Sequence, residues 1–105
     1  MNLRNKFLNH VERNWKQNNH SLKNISCVYL IAGYDPYKKT KDIYYVGSTV
    51  RLELRYRSHK IPEKVQSIGL CNILYYLPME SGFYDYEMKL IKTLKPLFNK
   101  QHKNG

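Results

Sequence analysis

The sequence lacks the features that mark secreted, disulfide-bonded and membrane proteins. Its two cysteines, Cys27 and Cys71, are far apart and belong to no CxxC pair, which argues against a disulfide scaffold or a cysteine metal site. No apolar run is long enough to span a bilayer or to act as a signal peptide. We therefore expect an intracellular protein without a membrane partner, in which both cysteines are buried free thiols.

Acidic residues are also scarce. Eight Asp and Glu stand against 18 Lys and Arg, which leaves a formal charge of +10. A positive charge of this size favours a polyanionic partner, of which nucleic acid is the commonest. An acidic membrane surface is the competing partner, but the cations are spread along the chain among ten tyrosines, and aromatic side chains among cations are typical of nucleic-acid contacts.

Periodicity and turn residues predict one small α+β domain within the 105 residues. Apolar residues at a spacing of four predict an amphipathic helix over residues 2–17. Runs of β-branched and aromatic residues predict strands over 25–32, 42–46 and 71–77, and the last helix follows over 82–94. We expect a small three-stranded, mainly antiparallel sheet flanked by helices.

The predicted boundaries separate residues 1–24, an N-terminal helix and its linker, from residues 25–105, the main part of a single compact unit. The helix is expected to pack on that unit and to show a basic side to solvent. A dimer contact or a DNA-binding arm is the alternative role for this helix.

The stretch from Tyr44 to His59 organises the rest of the chain. It reads as a strand, a turn at Gly47 and a helix capped by Ser48 or Thr49. Arg51, Arg55 and His59 follow at a spacing of four, which would place them on one helix face. Such a face could hold a phosphate, or it could be an ordinary solvated surface.

A single acid interrupts the apolar stripe of the last helix. Glu87 lies on the same predicted face as Phe83, Leu90, Ile91 and Leu94. A carboxylate on a buried face is costly unless an arginine, a metal or a substrate cation meets it. A buried Glu–Arg pair, or a glutamate that reaches water from the edge of the stripe, is the plain structural alternative.

Taken together, these stretches resemble the GIY-YIG nuclease superfamily. The two motifs of the family appear as Cys27-Val28-Tyr29 and Tyr45-Val46-Gly47. The arginine eight residues past that glycine is Arg55, and the histidine four residues further on is His59. The family's metal-binding glutamate matches Glu87, and its later asparagine matches Asn99. Cys27 replaces the glycine of the first motif, and the loop between the motifs is longer than usual.

The resemblance implies a stand-alone, metal-dependent endonuclease that cleaves a DNA phosphodiester by direct attack of water. Glu87 would hold Mg²⁺, with Mn²⁺ as the alternative ion. Arg55 would stabilise charge on the phosphate, and Tyr29 or Tyr45 would deprotonate the water while His59 accepts a proton. Asn99 would position the groups on the metal side. These groups must then converge in a single groove.

The partner implied is DNA, in double-stranded form, with a homodimer as one way to cut both strands. The candidate DNA contacts are five cations: Lys38, Lys39, Lys41, Arg51 and Arg57. The abundance of lysine and asparagine hints at an AT-rich genome, which fits a phage or bacterial mobile element. A non-catalytic nucleic-acid-binding module with the same fold is the alternative function, and a protein whose basic surface meets an acidic protein is another.

Overall fold

The computed structural model describes residues 2–18 and 21–99. Residues 1, 19–20 and 100–105, which the predicted domain boundaries include, lie outside the described residues. The elements in chain order are α1 (Leu3–Asn14), β1 (Lys16–Gln17), β2 (Cys27–Asp35), β3 (Thr40–Thr49), α2 (Leu52–Arg57), α3 (Ile61–Ser67), β4 (Cys71–Pro78) and α4 (Phe83–Leu94).

The four strands form one antiparallel sheet in the order β1-β4-β2-β3. The prediction of an α+β fold is confirmed, but the prediction of three strands is wrong. The added strand, β1, is two residues long and pairs Lys16 with Tyr76 and Gln17 with Tyr75. A strand of two residues carries no alternation of apolar and polar side chains, so periodicity could not reveal it.

The sheet separates two apolar clusters. Alternate side chains of a strand point to opposite faces, and in β2 Val28 and Leu30 join one cluster while Tyr29 and Ile31 join the other. Helices α1 and α4 cover the first face, whereas α2 and α3 cover the second. Groups held on the first face and groups held on the second can therefore meet only at an edge of the sheet.

Helix α1 contributes to the core of the fold. Leu8, Val11 and Trp15 are buried against the same face as Val28 and Leu30. Two ion pairs tie the polar side of the helix to β3: Arg4 to Asp42 at 2.8 Å and Lys41 to Glu12 at 2.6 Å. Most of the apolar stripe of α1 is thus used within the chain, whereas Leu3 at the start of the helix is exposed.

The prediction for the two cysteines differs from the structure in part. Cys27 is buried, and burial raises the pKa of its thiol to about 12, but Cys71 at the start of β4 is exposed. The prediction that both thiols are buried is wrong for Cys71.

No helix within residues 2–18 and 21–99 is long and apolar enough to cross a bilayer.

Candidate active site

A β-bulge brings two tyrosines to the same face of the sheet. The register pairs Ile31 with Tyr45 but Ala32 with Ile43, so β3 carries one extra residue, Tyr44. The extra residue reverses the alternation of β3, which turns Tyr45 toward the cluster that holds Tyr29. The two rings stack with their centroids 6.1 Å apart.

Gly47 makes room for the hydroxyl of Tyr29. The two residues are directly opposite in the register of β2 and β3. A Cβ atom at position 47 would lie 2.5 Å from both Cζ and Oη of Tyr29, well inside van der Waals contact. The phenol therefore rests on the bare backbone of the edge strand, and only glycine fits at that position.

His59 meets both tyrosines. Its Nε2 atom lies 3.0 Å from Oη of Tyr29, and its ring lies edge-on to Tyr45 with centroids 4.6 Å apart. Helix α2 ends at Arg57, so the prediction that Arg51, Arg55 and His59 share one helix face is wrong. His59 follows the helix, and its N–H donates to the carbonyl of Tyr56.

The imidazole of His59 is held neutral, and its tautomer follows from its contacts. Burial, together with the positive charge of Arg55, lowers the pKa of His59 to about 4. The backbone N–H of Ile61 donates to Nδ1 at 3.3 Å, which leaves the proton of the neutral ring on Nε2. Nε2–H then donates to Oη of Tyr29, so His59 is a donor to this phenol and not its proton acceptor.

Arg55 lies beside both phenols and lines a groove that is open to solvent. The guanidinium of Arg55 interacts electrostatically with the hydroxyl groups of both Tyr29 and Tyr45. Burial raises the pKa of Tyr29 well above its ordinary value, and Tyr45 adds to that rise, while Arg55 opposes it. A groove of about 360 Å³ runs in front of this cluster, lined by Tyr45, Arg55, Ser58, His59, Lys60, Ile61 and Phe98.

Glu87 approaches from the opposite face of the sheet. Its helix, α4, packs through Leu90, Ile91 and Leu94 on the face of the sheet opposite Tyr29 and Tyr45. The carboxylate is 9% exposed and accepts a hydrogen bond from Oγ of Ser48 at 2.5 Å. Glu87 is not among the residues that line the groove in front of Tyr45 and Arg55, and the convergence of all these groups in a single groove stays a prediction.

The carboxylate nevertheless lies close to the phenols. Its negative charge is a further cause of the raised pKa of Tyr29, after burial and Tyr45. Gly47 touches Tyr29 Oη and directly precedes Ser48, the partner of Glu87. The backbone of β3 at residues 47–48 is what separates the phenol from the carboxylate, and β3 is an edge strand of the sheet.

Asn99 holds this segment of β3 in place. Its Oδ1 accepts from the N–H of Val46 at 2.9 Å, and its Nδ2 donates to the carbonyl of Val46 at 2.8 Å. The side chain is fully buried and pairs with the edge strand as another strand would. Phe98 adds a backbone bond to the carbonyl of Tyr44 at 2.7 Å. Both ends of the amide are thus used by the backbone that carries Tyr45 and Gly47.

The five predicted DNA-binding cations do not form one patch. Lys38 and Lys39 lie exposed at the turn between β2 and β3, whereas Lys41 is paired with Glu12. Arg51 is the residue before α2, and Arg57 pairs with Glu53 at 3.3 Å. Of the cations near the groove, Arg55 and Lys60 line it.

Sequence reasoning missed two residues of the site. Ser48 was expected to cap a helix, but β3 continues to Thr49 and Ser48 instead bonds Glu87. Its alternation with Val46, which faces α4, is the signal that would have placed it there. Lys60 directly follows His59, and no periodic pattern marks it, because α2 has already ended.

The residues around Glu87 fit a cation that keeps most of its water. Within the described parts of the chain, no group of three or more His, Cys, Asp and Glu side chains could enclose a metal. The same residues offer no hydrogen-bond donor to Oε2, the second oxygen of Glu87. Mg²⁺ is commonly held by one or two carboxylates and several waters, so a carboxylate with one free oxygen suits it.

Comparison of the chain with family models, with curated proteins and with solved structures finds no match.

Proposed function

We propose that the protein is a metal-dependent endonuclease of the GIY-YIG type, which hydrolyses DNA phosphodiester bonds. One observation carries the proposal: at Gly47 and Ser48 the edge strand has the Tyr29–Tyr45–His59 cluster on one side and the Glu87 carboxylate on the other. A phosphate lying along this edge can contact Arg55 on one side of β3 and a cation at Glu87 on the other. The charge of +10 favours such a polyanion.

Arg55 is the residue that binds the phosphate. Its guanidinium lines the open groove and can donate to two phosphate oxygens at once. Two donors directed at the non-bridging oxygens stabilise the charge that gathers there as water attacks. Lys60 lines the same groove and adds a second positive charge for the DNA backbone.

Tyr45 is the general base in this account. Tyr29 is 1% exposed, its hydroxyl rests on Gly47, and His59 donates to it. Tyr45 is 6% exposed and lines the groove, so of the two phenols it is the one assigned to the attacking water. A free phenol is ionised to only about one part in a thousand at pH 7, and the guanidinium of Arg55 places a positive charge beside the hydroxyl of Tyr45.

In the chemical step, water replaces the leaving sugar oxygen on phosphorus. The Tyr45 phenolate takes a proton from water while the water oxygen forms a bond to phosphorus. The bond from phosphorus to the leaving sugar oxygen breaks. Mg²⁺ bound at Glu87 would polarise the phosphate and stabilise the leaving oxygen. Tyr29 and His59 keep Tyr45 in place through the stacked and edge-on ring contacts.

A plasmid assay tests the proposal. Supercoiled plasmid is incubated with Mg²⁺ and the protein, or with Glu87→Gln or Arg55→Ala. Glutamine at 87 still accepts from Ser48, so the fold is kept while the charge is removed. We expect each variant to nick at least about 100-fold more slowly.

Two exposed residues that contact no residue of the site provide matched controls, Asp85→Asn and Arg13→Ala, and both should nick at the parent rate. Equal nicking by every variant would indicate a contaminant and would remove Glu87 and Arg55 from the mechanism. Salt-dependent DNA binding by the parent without any nicking would support a non-catalytic module instead.

A further inference from the structure

The turn between β2 and β3 presents an aromatic ring and two lysines to solvent. Tyr37 is 93% exposed, the highest value among the exposed large apolar side chains of the described residues. Lys38 and Lys39 follow it and are exposed as well. An aromatic face next to two cations is the combination that binds unpaired nucleic acid, since the ring stacks on a base and the cations meet phosphates.

The turn is held in shape by its own hydrogen bonds. Oδ1 of Asp35 accepts from the N–H groups of Tyr37 and Lys38, at 2.9 and 3.2 Å. Lys39 adopts a left-handed backbone conformation with φ of 56°, which closes the turn. A preorganised turn loses less conformational entropy on binding than a mobile loop does. The backbone therefore loses little entropy when the exposed ring stacks on a base.

A polar groove of about 300 Å³ adjoins the same turn. It is lined by Asn5, Gly33, Asp35, Lys38, Thr40, Lys41, Asp42, Tyr44 and Leu70. Lys38 belongs both to the turn and to this groove.

The Tyr37 ring favours an unpaired strand over a duplex. In a duplex each base face is covered by its neighbours in the stack, whereas an unpaired base can leave the stack. Proteins that read unpaired nucleic acid stack such base faces on aromatic rings. An exposed ring at the tip of a hairpin is placed to make that contact.

We propose that the β2–β3 turn and the polar groove beside it bind an unpaired DNA strand next to the duplex. The proposal rests on the proposed function in taking DNA as the partner, and it deepens that function by giving the substrate class: duplex DNA with an unpaired arm. Tyr37 stacks on a base, and Lys38 and Lys39 hold phosphates, with Lys38 extending this contact into the groove.

The hairpin also sets the distance between this contact and the cut. Tyr45 pairs with Ile31, and the turn begins after Asp35, four residues farther along β2. At about 3.3 Å per residue the turn starts about 13 Å beyond Tyr45. DNA rises about 3.4 Å per nucleotide, so a strand that runs along the hairpin becomes unpaired about four nucleotides from the phosphate that is cleaved.

Binding in EDTA tests the proposal without any cleavage. Two fluorescent probes carry the same number of phosphates: a blunt duplex, and a shorter duplex with a six-nucleotide unpaired arm. The parent should bind the second probe about tenfold more tightly. Tyr37→Ala should lose about ten- to 100-fold on the armed probe and less than about twofold on the blunt one.

Two variants serve as controls. Tyr37→Phe keeps the ring and should bind as the parent does. Tyr84→Ala removes another exposed tyrosine, 52% exposed on α4, and should not change binding to either probe. Equal binding of both probes by the parent, or unchanged binding of the armed probe by Tyr37→Ala, would overturn the proposal.

The outcomes separate this proposal from the nuclease proposal. Nicking that depends on Glu87, together with binding that ignores Tyr37, would overturn the unpaired-strand site alone. Binding of the armed probe that depends on Tyr37, without any nicking, would leave the site standing and overturn the nuclease.

Discussion

The imidazole of His59 donates from Nε2 to the hydroxyl of Tyr29 across 3.0 Å, although the two residues lie on different elements, thirty positions apart. The backbone N–H of Ile61 fixes this direction by occupying Nδ1. The pair is buried beside Arg55, which keeps the histidine neutral. His59 therefore orients Tyr29, and its role in the site depends on staying uncharged.

This arrangement predicts a fall in stability below neutral pH. The pKa of His59 is about 4 in the folded chain against 6.5 for a free histidine, so the unfolded chain binds the proton first as the pH drops. The stabilisation by neutral His59 is complete above pH 6.5 and is lost between about pH 6.5 and 4. The loss amounts to about 3 kcal/mol.

Urea unfolding at several pH values measures this loss. His59→Gln should flatten the profile between pH 6.5 and 4 relative to the parent, because glutamine does not titrate. His10→Gln, which alters an exposed histidine on α1, should reproduce the parent profile. A parent and a His59→Gln protein with parallel profiles would show that His59 is not held neutral by the fold.

The sequence predicted the type and order of the long elements but not how they bring the site together. The tyrosine motifs and the helix of Glu87 follow from local pattern, since each depends on neighbours within a few residues. The bulge at Tyr44 does not, because it arises from pairing with β2. Strict alternation along β3 would have put Tyr45 and Tyr29 on opposite faces.

The contacts of Asn99 are a second feature that the sequence did not predict. The sequence suggested a residue that positions the metal side, whereas the structure uses both ends of its amide on the backbone of Val46. The two residues are 53 positions apart, and no local pattern links them. For Glu87, likewise, helical periodicity shows that its face is buried but not which face of the sheet buries it.

Replacing Asn99 by leucine should destabilise the fold strongly. The change removes two buried hydrogen bonds and leaves the N–H and C=O of Val46 without these partners. Each unsatisfied buried group costs about 1–3 kcal/mol, so we expect a loss of about 2–5 kcal/mol in the free energy of urea unfolding. Asn14→Leu, on the exposed side of α1, should change it by less than about 0.5 kcal/mol. A loss below 1 kcal/mol for Asn99→Leu would contradict the strand-like pairing.

Gly47→Ala should displace Tyr29. The added Cβ would lie 2.5 Å from Cζ and Oη of Tyr29, so the ring or the edge strand must move. Overpacking of this kind costs about 1–3 kcal/mol, and nicking should fall with it because Tyr45 stacks on the displaced ring. Gly69→Asn is the control, since its position is open and its φ of 86° suits asparagine. Full activity in Gly47→Ala would show that the position of Tyr29 does not matter to the reaction.

The two tyrosines should respond differently to the loss of a hydroxyl. Tyr45→Phe removes the proposed base and should slow single-turnover cleavage by about 100- to 10,000-fold with DNA binding unchanged. Tyr29→Phe removes the partner of His59 and should cost about 1–3 kcal/mol of stability, with a smaller loss of rate. If Tyr29→Phe abolished cleavage and Tyr45→Phe did not, the roles assigned here would be reversed.

The central claim is that Arg55 and Glu87, on opposite faces of the sheet, act on one phosphate at the edge of β3. A crystal structure of Tyr45→Phe with duplex DNA and Mn²⁺, located by its anomalous scattering, tests this most directly. The account predicts one manganese ion on Oε2 of Glu87 and a single phosphate bound both to that ion and to Arg55. A phosphate held by Arg55 with no metal at Glu87, or a metal at Glu87 remote from the DNA, would contradict it.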